Sequence, residues 1–337
     1  MTNLKTNFLG IELKNPVIVG ASNLVTSIDN LKRMEEAGAA AVVFKTLFEE
    51  QIQLESLQMD EELSEYNERH AEMTNLFPAM EHAGPREHLM NVKKAREALT
   101  IPLIASLNAV YRETWLDYAK LLEDTGVNAL ELNFYSVPRD TNLTGEEIIE
   151  EQISIIKEVK SSISIPVSVK LSAFYTNPLN VISRMDQAGV DGFVLFNRFF
   201  QPEINLDKEE HAVHFPLSTE EENKLPLRFA GLLYGNISAG ICSNSGISNG
   251  GDVVKMVLAG ADCVQVVGAL YKNKIGYISA ILTELEKWMA SKNYKSLKDF
   301  RGKLSNKNTN DPYVYKRAQY VDLLLKSENL FRNKGLL

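Results

Sequence analysis

Short runs of apolar residues alternate along this chain with longer stretches in which apolar residues recur at helical spacing. The short runs are almost wholly apolar, which is typical of parallel strands whose two faces are both covered by other elements. We predict eight strands, at residues 17–20, 41–45, 103–107, 129–134, 167–171, 192–196, 240–243 and 263–267. We predict the helices between and after them at residues 28–37, 87–99, 114–125, 146–162, 178–188, 226–237, 251–259 and 276–291.

A sequence pattern that repeats every two strands supports the count of eight strands. Odd-numbered strands tend to open with a proline, at Pro16, Pro102 and Pro166. Even-numbered strands follow a glycine that can cap the preceding helix in the left-handed conformation, namely Gly38, Gly126, Gly189 and Gly260. A repeated strand–helix unit of this kind closes most readily into a (β/α)8 TIM barrel. An open doubly wound sheet is the competing architecture.

The length of 337 residues fits two average domains, or one barrel of roughly 250 residues with additions. We place the barrel in residues 1–304 and a helical tail, packed on or beside it, in 305–337. Two long connections, 47–86 and 198–225, follow predicted strands and therefore rise over the carboxyl face, where barrels carry their active sites. The first is strongly acidic, which fits either a solvated helix or a lid.

The amino-acid composition limits the classes of ligand and partner that this chain is expected to bind. The net charge is −8 and no block of Lys or Arg stands out, so nucleic-acid binding is not expected. No apolar run reaches the roughly 18 residues of a membrane span, and no membrane partner is expected. The two cysteines are too few for a Cys-rich zinc site or an iron–sulfur cluster. A reduced, cytoplasmic setting is the default for such a chain.

Polar and small residues end these otherwise apolar strands. In a barrel they meet at the carboxyl face, and they are Gly20, Ala21, Ser22, Lys45, Thr46, Asn108, Asn133, Lys170, Asn197 and Arg198. Lysine is almost never buried without a partner. Two such lysines, with several amides and no matching carboxylate at any strand end, indicate an anionic or carbonyl-rich ligand.

The last two strand ends are small and rich in glycine. Residues 243–252 form a Ser/Asn/Gly loop that opens a helix, and residues 266–270 end the next strand in a small-residue turn. Loops after the seventh and eighth strands, with backbone N–H groups at a helix start, form the usual phosphate site of a barrel. We therefore expect phosphate binding at Ser245, Gly246, Gly268 and Ala269.

In order and spacing, these residues resemble the class 1-like members of the dihydroorotate dehydrogenase superfamily, which are FMN-dependent barrels. The resemblance covers roughly residues 7–304. It rests on Asn15-Pro16, Phe44-Lys45-Thr46, Glu131-Leu132-Asn133, Val169-Lys170-Leu171, Asn197, Ser245-Gly246-Ile247 and Gly268-Ala269-Leu270. It implies FMN as cofactor and the oxidation of dihydroorotate to orotate, a step of pyrimidine biosynthesis, by hydride transfer to flavin N5.

The resemblance also implies roles for the cofactor residues. The phosphate would be held by backbone amides of Ser245, Gly246, Gly268 and Ala269. Small residues would line the flavin ring, namely Gly20, Ala21 and Ser22. Lys170 would stand beside the N1–C2 carbonyl edge, where a fixed positive charge stabilises the reduced flavin. Further cofactor contacts would come from Lys45, Thr46, Asn108, Asn133 and Asn197.

For the substrate, the resemblance assigns Asn133 and Asn197 to orient the pyrimidine and Lys45 to reach its carboxylate. Ser136 stands where the family has its catalytic base, as Cys or Ser. A serine has a high pKa and would need a water chain or another acceptor to serve as that base. Ser136 can equally be an ordinary turn residue of its loop.

The substrate half departs from the family pattern. Residues 135–138 read Tyr-Ser-Val-Pro and lack the asparagine that follows in the family, and residues 77–88 replace its substrate loop. The replacement offers His82, Arg86 and His88 as acid–base or anion-binding groups, or as surface residues. Arg198, also unusual for the family, is a candidate contact for an anionic substrate. Another dihydropyrimidine, an activated alkene, or a barrel without catalysis are therefore alternatives.

The sequence also bears on metal binding, the electron acceptor and protein partners. His211 and His214 lie three residues apart without a third ligand nearby, so no metal site is expected. The electron acceptor is open among fumarate, a quinone and NAD. An NAD route would need a separate electron-transfer subunit, because this chain lacks the cysteines for a cluster. A homodimer is typical of such barrels, although the sequence identifies no interface.

Overall fold

The computed structural model of the protein describes residues 2–49, 83–109, 111–135, 140–199, 201–212 and 217–327, with positions 138 and 332. The strands are β1 (Thr6–Phe8), β2 (Ile11–Leu13), β3 (Val17–Val19), β4 (Ala41–Val43), β5 (Leu47–Phe48), β6 (Leu103–Asn108), β7 (Ala129–Phe134), β8 (Val167–Leu171), β9 (Gly192–Leu195), β10 (Glu203–Asn205), β11 (Glu210–Ala212), β12 (Gly240–Ser243) and β13 (Cys263–Val266). The α-helices are α1 (Ile28–Glu36), α2 (Ala83–Ala98), α3 (Arg112–Glu123), α4 (Gly145–Ser162), α5 (Pro178–Gln187), α6 (Lys224–Leu233), α7 (Gly250–Ala259), α8 (Gly268–Asn273), α9 (Tyr277–Ser291) and α10 (Ala318–Leu325).

Eight parallel strands close into a barrel. Their order around the ring is β4, β3, β13, β12, β9, β8, β7 and β6, and β4 pairs with β6 to complete it. The closing register places Val42 opposite Leu103 and Val43 opposite Ile104. The predicted (β/α)8 barrel is confirmed, and the open-sheet alternative is wrong. β5 adds a short ladder beside the end of β6.

The strands alternate between two apolar layers, as the two-residue period of a pleated strand requires. One layer lies between the barrel and its helices, and the other fills the barrel interior. Ile18, Val43, Ile104, Ala129 and Val194 belong to the interior layer and are almost completely buried. Towards the carboxyl ends, the inward positions become polar, and this change marks the candidate site.

A hairpin formed by β1 and β2 closes the opposite end of the barrel. Its turn packs so tightly that a Cβ added to Gly192 would lie 2.6 Å from Leu9 Cδ2, and one added to Gly240 would lie 2.8 Å from Phe8 Cδ2. Both glycines open barrel strands. The hairpin, which we did not predict, therefore forms the floor of the barrel.

The predicted elements agree with the observed bounds to within a few residues. The four capping glycines adopt positive φ angles, from +82° at Gly126 to +136° at Gly260. Helix α8 was not predicted. In the described part of the connection 198–225, β10 and β11 form a hairpin, and Glu220–Asn223 forms a 3-10 turn. Most of the connection 47–86 lies outside the described residues.

Beyond residue 304 the chain contains a short 3-10 turn, Pro312–Tyr315, and helix α10, neither of which has a buried residue. Tyr315 ties this segment to the barrel, because its hydroxyl donates to the Leu304 carbonyl at 2.7 Å. The division of the chain into barrel and tail stays a prediction. Among the described residues, no helix has the length and apolar character to cross a bilayer.

Candidate active site

The parallel strands bring the predicted residues to one rim, because their carboxyl ends all lie at the same end of the barrel. The described residues at this rim are Gly20, Ala21, Ser22, Lys45, Thr46, Asn108, Asn133, Lys170, Asn197, Arg198, Ser245, Gly246, Gly268 and Ala269. Ser136, His82 and His214 lie outside the described residues. Their predicted roles stay predictions.

Three asparagines at or just after the carboxyl ends of β6, β7 and β9 are linked to one another. The Asn108 side-chain amide donates to the Asn133 carbonyl at 2.6 Å and to the Tyr135 carbonyl at 3.2 Å. The Asn197 side-chain amide donates to Asn133 Oδ1. These bonds fix the orientation of each amide, so the Asn133 side-chain NH2 group remains a donor for a ligand.

A second polar contact joins Thr46 to Ser106. Their hydroxyl oxygens lie 2.8 Å apart, and both residues are buried. Ser106 lies inside β6, two residues before Asn108, so its side chain shares the inward face with that asparagine. The contact holds Thr46 against the barrel wall directly after Lys45.

Lys170 lies in a buried cluster with Glu131 and Gln265. Its Nζ is 3.8 Å from Glu131 Oε1 and donates to Gln265 Oε1 at 3.4 Å. Gln265 Nε2 in turn donates to Glu131 Oε2 at 2.6 Å. Lys170 therefore has a carboxylate nearby, although none of the predicted strand ends carries one. Glu131 lies in the middle of β7, where an inspection of strand ends does not find it.

Lys45 lies near His88 of helix α2. The His88 ring meets the Phe44 ring edge to face, with centroids 5.6 Å apart, and its buried Nε2 has no hydrogen-bond partner among the described residues. Burial, with a smaller contribution from the Lys45 charge, lowers the pKa of His88 to about 4, so the imidazole is neutral at pH 7. Of the two described candidates from the replaced segment, His88 is therefore close to the site, whereas Arg86 is exposed.

The loop after β12 presents backbone N–H groups to the rim. Ser245 and Gly246 both adopt left-handed conformations, with φ of 75° and 70°. A Cβ added to Gly246 would lie 2.5 Å from the Asn223 backbone nitrogen and 2.7 Å from the Thr219 carbonyl oxygen. Within the described part of the chain, the N–H groups of Gly246, Gly268 and Ala269 donate to no protein acceptor. They are therefore available to an anion.

Buried Asp252 holds this loop in shape. Its carboxylate accepts from the Asn223 side chain at 3.0 Å and from the Ser248 backbone at 3.0 Å. Ser245 Oγ also donates to the Phe196 carbonyl at 3.1 Å. The cradle of N–H groups is thus held in shape by the protein's own contacts.

The barrel wall below this cradle is formed by residues with small side chains or none. A Cβ added to Gly20 would lie 2.9 Å from Val267 Cγ2 and 3.2 Å from Gln265 Oε1. Ser22 turns its hydroxyl to the backbone, accepting from the Leu24 N–H at 3.3 Å. Such a surface allows a flat ring to approach the backbone closely.

Arg198 forms a two-point contact with Glu222 beside the site. Arg198 Nε lies 2.8 Å from Glu222 Oε2, and one terminal nitrogen lies 3.3 Å from Oε1. The pair borders a cavity of about 460 Å³ that is also lined by Asn197 and Ser245. Arg198 therefore lies beside the predicted substrate residues, and its predicted substrate contact stays a prediction.

Comparisons with known proteins agree with this geometry. A family profile described as Dihydroorotate dehydrogenase matches residues 3–289. The chain belongs to the dihydroorotate dehydrogenase family. A Methanocaldococcus jannaschii protein named "Dihydroorotate dehydrogenase B (NAD(+)), catalytic subunit" is 27% identical over 301 residues, covering 86% of this chain and 94% of the relative. An Aeropyrum pernix protein named "Putative dihydroorotate dehydrogenase A (fumarate)" is 28% identical over 226 residues, covering 65% and 72%.

Membership of the dihydroorotate dehydrogenase family confirms the predicted resemblance and makes the protein an oxidoreductase of that type. The donors at the rim fit the flavin mononucleotide expected in this family. Unengaged backbone N–H groups suit a phosphate. Buried Lys170 makes no hydrogen bond shorter than 3.4 Å to a described residue, so its ammonium can still donate to carbonyl groups of a ring.

No role in the site was predicted for Glu131, Gln265 or Ser106, although Glu131 belongs to one of the motifs quoted above. All three lie within apolar strand sequences and face into the barrel. Ser106 and Glu131 each lie two positions before a predicted strand-end residue, Asn108 and Asn133, and share its inward face, so this spacing is a signal that identifies these two residues. The same spacing does not identify Gln265.

Proposed function

We propose that this protein oxidises dihydroorotate to orotate with bound FMN as the hydride acceptor, a step of pyrimidine biosynthesis. The observation that carries the proposal is the built cradle of N–H groups at Gly246, Gly268 and Ala269, on the same rim as buried Lys170. When bound, FMN supplies the two-electron chemistry that these side chains lack. The residues of this chain supply binding, orientation and charge.

The cofactor would be held at three places. Backbone amides of Ser245, Gly246, Gly268 and Ala269 would bind the phosphate. Gly20, Ala21 and Ser22 would lie against the ring, with contacts from Lys45, Thr46, Asn108, Asn133 and Asn197. Lys170 would place its positive charge at the carbonyl edge, where negative charge develops on reduction.

The substrate would be oriented by hydrogen bonds from Asn133 and Asn197, whose side chains are already bonded to each other. Lys45 would bind the carboxylate, and neutral His88 beside it would not compete for that negative charge. Ser136 would take the proton from C5 while hydride leaves C6. Arg198 would add an anion-binding group at the edge of the cavity.

The test begins with the absorption spectrum of the purified protein. We expect it to take up FMN, and we expect the flavin band to bleach when dihydroorotate is added without oxygen. Lys170→Ala should lower turnover strongly, because it removes the charge that favours the reduced flavin. A protein that cannot take up FMN would refute the proposal.

The replaced segment favours a second candidate, which is oxidation of another dihydropyrimidine or reduction of an activated alkene. The observation behind it is the buried His88 Nε2 near Lys45, to which no described residue donates or accepts a hydrogen bond, because it adds a polar group beside the carboxylate-binding lysine. A panel of such compounds separates the two candidates. Bleaching by dihydroorotate alone supports the first, and an inert dihydroorotate with another active compound supports the second.

We also propose that the protein works in the cytoplasm, as a homodimer, and passes electrons to NAD through a separate subunit. Relatives named as NAD(+)-type catalytic subunits support the separate subunit and the NAD acceptor. The alternative acceptor is fumarate, which the name of the A-type relative mentions. Turnover of the isolated protein with fumarate, but not with NAD, would favour the alternative. Sedimentation gives the oligomeric state.

A further inference from the structure

Glu131 is a charged residue in the interior of the barrel. It is 1% exposed and lies two residues before Asn133 on the inward face of β7. A buried carboxylate is costly unless it is paired and hydrogen-bonded. Glu131 Oε2 accepts from Gln265 at 2.6 Å, whereas Oε1 accepts no hydrogen bond from the part of the chain that the structure describes and lies 3.8 Å from Lys170 Nζ. The acid is therefore held mainly by Gln265, and Lys170 stays only loosely attached to it.

Gln265 connects the acid to the lysine. Its amide nitrogen donates to Glu131 and its amide oxygen accepts from Lys170, so each end of the amide contacts the group of complementary charge. The same oxygen would lie 3.2 Å from a Cβ on Gly20. The cluster is therefore directly behind the glycine that the proposed function places against the flavin ring.

We propose that Glu131 and Gln265 are positioning residues that hold the Lys170 ammonium and partly offset its charge, and that they thereby set the reduction potential of the bound flavin. This inference rests on the proposed FMN chemistry. Lys170 favours the reduced flavin because that form carries more negative charge. The negative charge of Glu131 has the opposite effect on the reduced flavin. Both charges are shielded from water, so their effects are only weakly screened.

The structure offers a matched control at the other end of the barrel. Asp262 is also a buried carboxylate, 6% exposed, and it pairs with Arg301 at 2.7 Å. It accepts from the Ile241 backbone at 2.9 Å. Asp262→Asn therefore removes a buried charge of the same kind, far from the rim, and should leave the flavin potential unchanged.

The experiment measures the flavin reduction potential against a reference dye, together with FMN affinity and the thermal midpoint. Glu131→Gln should shift the ratio of reduced to oxidised flavin at least tenfold towards the reduced form, which is about 30 mV for a two-electron couple. Glu131→Asp keeps the charge but withdraws it by one methylene. It should shift the ratio in the same direction by less, and it serves as the test if Glu131→Gln does not fold.

The outcomes separate the two proposals. A wild-type protein without bound FMN refutes the proposed function and this inference with it. Bound FMN with a ratio changed less than threefold in Glu131→Gln, or an equal shift in Asp262→Asn, refutes the inference alone. A fall in the thermal midpoint without a change in potential means that the cluster is structural only, and this outcome also overturns it.

Discussion

Gly246 gives the sharpest test of the phosphate cradle. Alanine at this position meets two separate obstacles. The backbone is left-handed, at a cost of about 1–2 kcal/mol for a residue with a side chain. The added methyl would also lie 2.5 and 2.7 Å from backbone atoms of Asn223 and Thr219, which cannot rotate away. Overpacking of this kind costs about 1–3 kcal/mol.

Together these terms amount to about 2–5 kcal/mol, which corresponds to a loss of about 30-fold to several thousand-fold in affinity if the loop must shift to accept the methyl. We expect Gly246→Ala to weaken FMN binding by a factor in that range. The assay is quenching of flavin fluorescence during titration of the purified apoprotein with FMN. A circular dichroism melt of the same samples reports the effect on folding.

Alanine substitutions at two further glycines provide comparisons for the FMN affinity of Gly246→Ala. Gly268→Ala would place its methyl 2.9 Å from Ser218 Oγ, a hydroxyl that can rotate, so we expect a smaller loss. Gly145→Ala would meet nothing within 4 Å at the start of α4 and should bind FMN like the wild type. The reasoning fails if Gly246→Ala binds FMN within threefold of the wild type, or if Gly145→Ala is equally impaired.

Two other predictions concern single side chains. The folded-state pKa of His88, about 4, lies below its ordinary value, so its contribution to stability is complete above pH 6.5 and is lost as the pH falls to 4, by about 3 kcal/mol. Urea denaturation at several pH values should show a smaller acid loss for His88→Gln than for the wild type, and an equal acid loss would contradict this reasoning. Arg198→Ala should raise the KM for dihydroorotate several-fold, with FMN affinity unchanged, because Arg198 lies beside Asn197 and holds Glu222. Steady-state kinetics with an unchanged KM would contradict a role in substrate binding.

The sequence was sufficient to predict the barrel because strands covered on both faces leave continuous apolar runs. Left-handed glycines such as Gly126 mark the turns between repeats with equal clarity. The hairpins were missed for a physical reason. Their three-residue strands, as in Thr6–Phe8, are too short to show a period.

The same contrast applies to the site. Backbone amides are placed by the fold itself, so Gly246 and Gly268 could be located from their strand positions. Which two side chains meet depends on which face of its strand each residue occupies and on the paths of the long connections. The contact between Arg198 and Glu222 therefore could not be predicted, although both residues are plainly charged.

The first and the last strand of the ring, β3 and β13, pair with each other although they are far apart in the chain. Val17 of β3 lies opposite Val264 of β13, about 250 positions later. At a synthesis rate of about 5–20 residues per second, β3 waits about 12–50 s for this neighbour. Until then, one edge of β3 has unpaired backbone groups of the kind that invite aggregation. Fragments that end before β13 should therefore be poorly soluble, and a cell that makes this barrel must protect its first strand until the last one emerges.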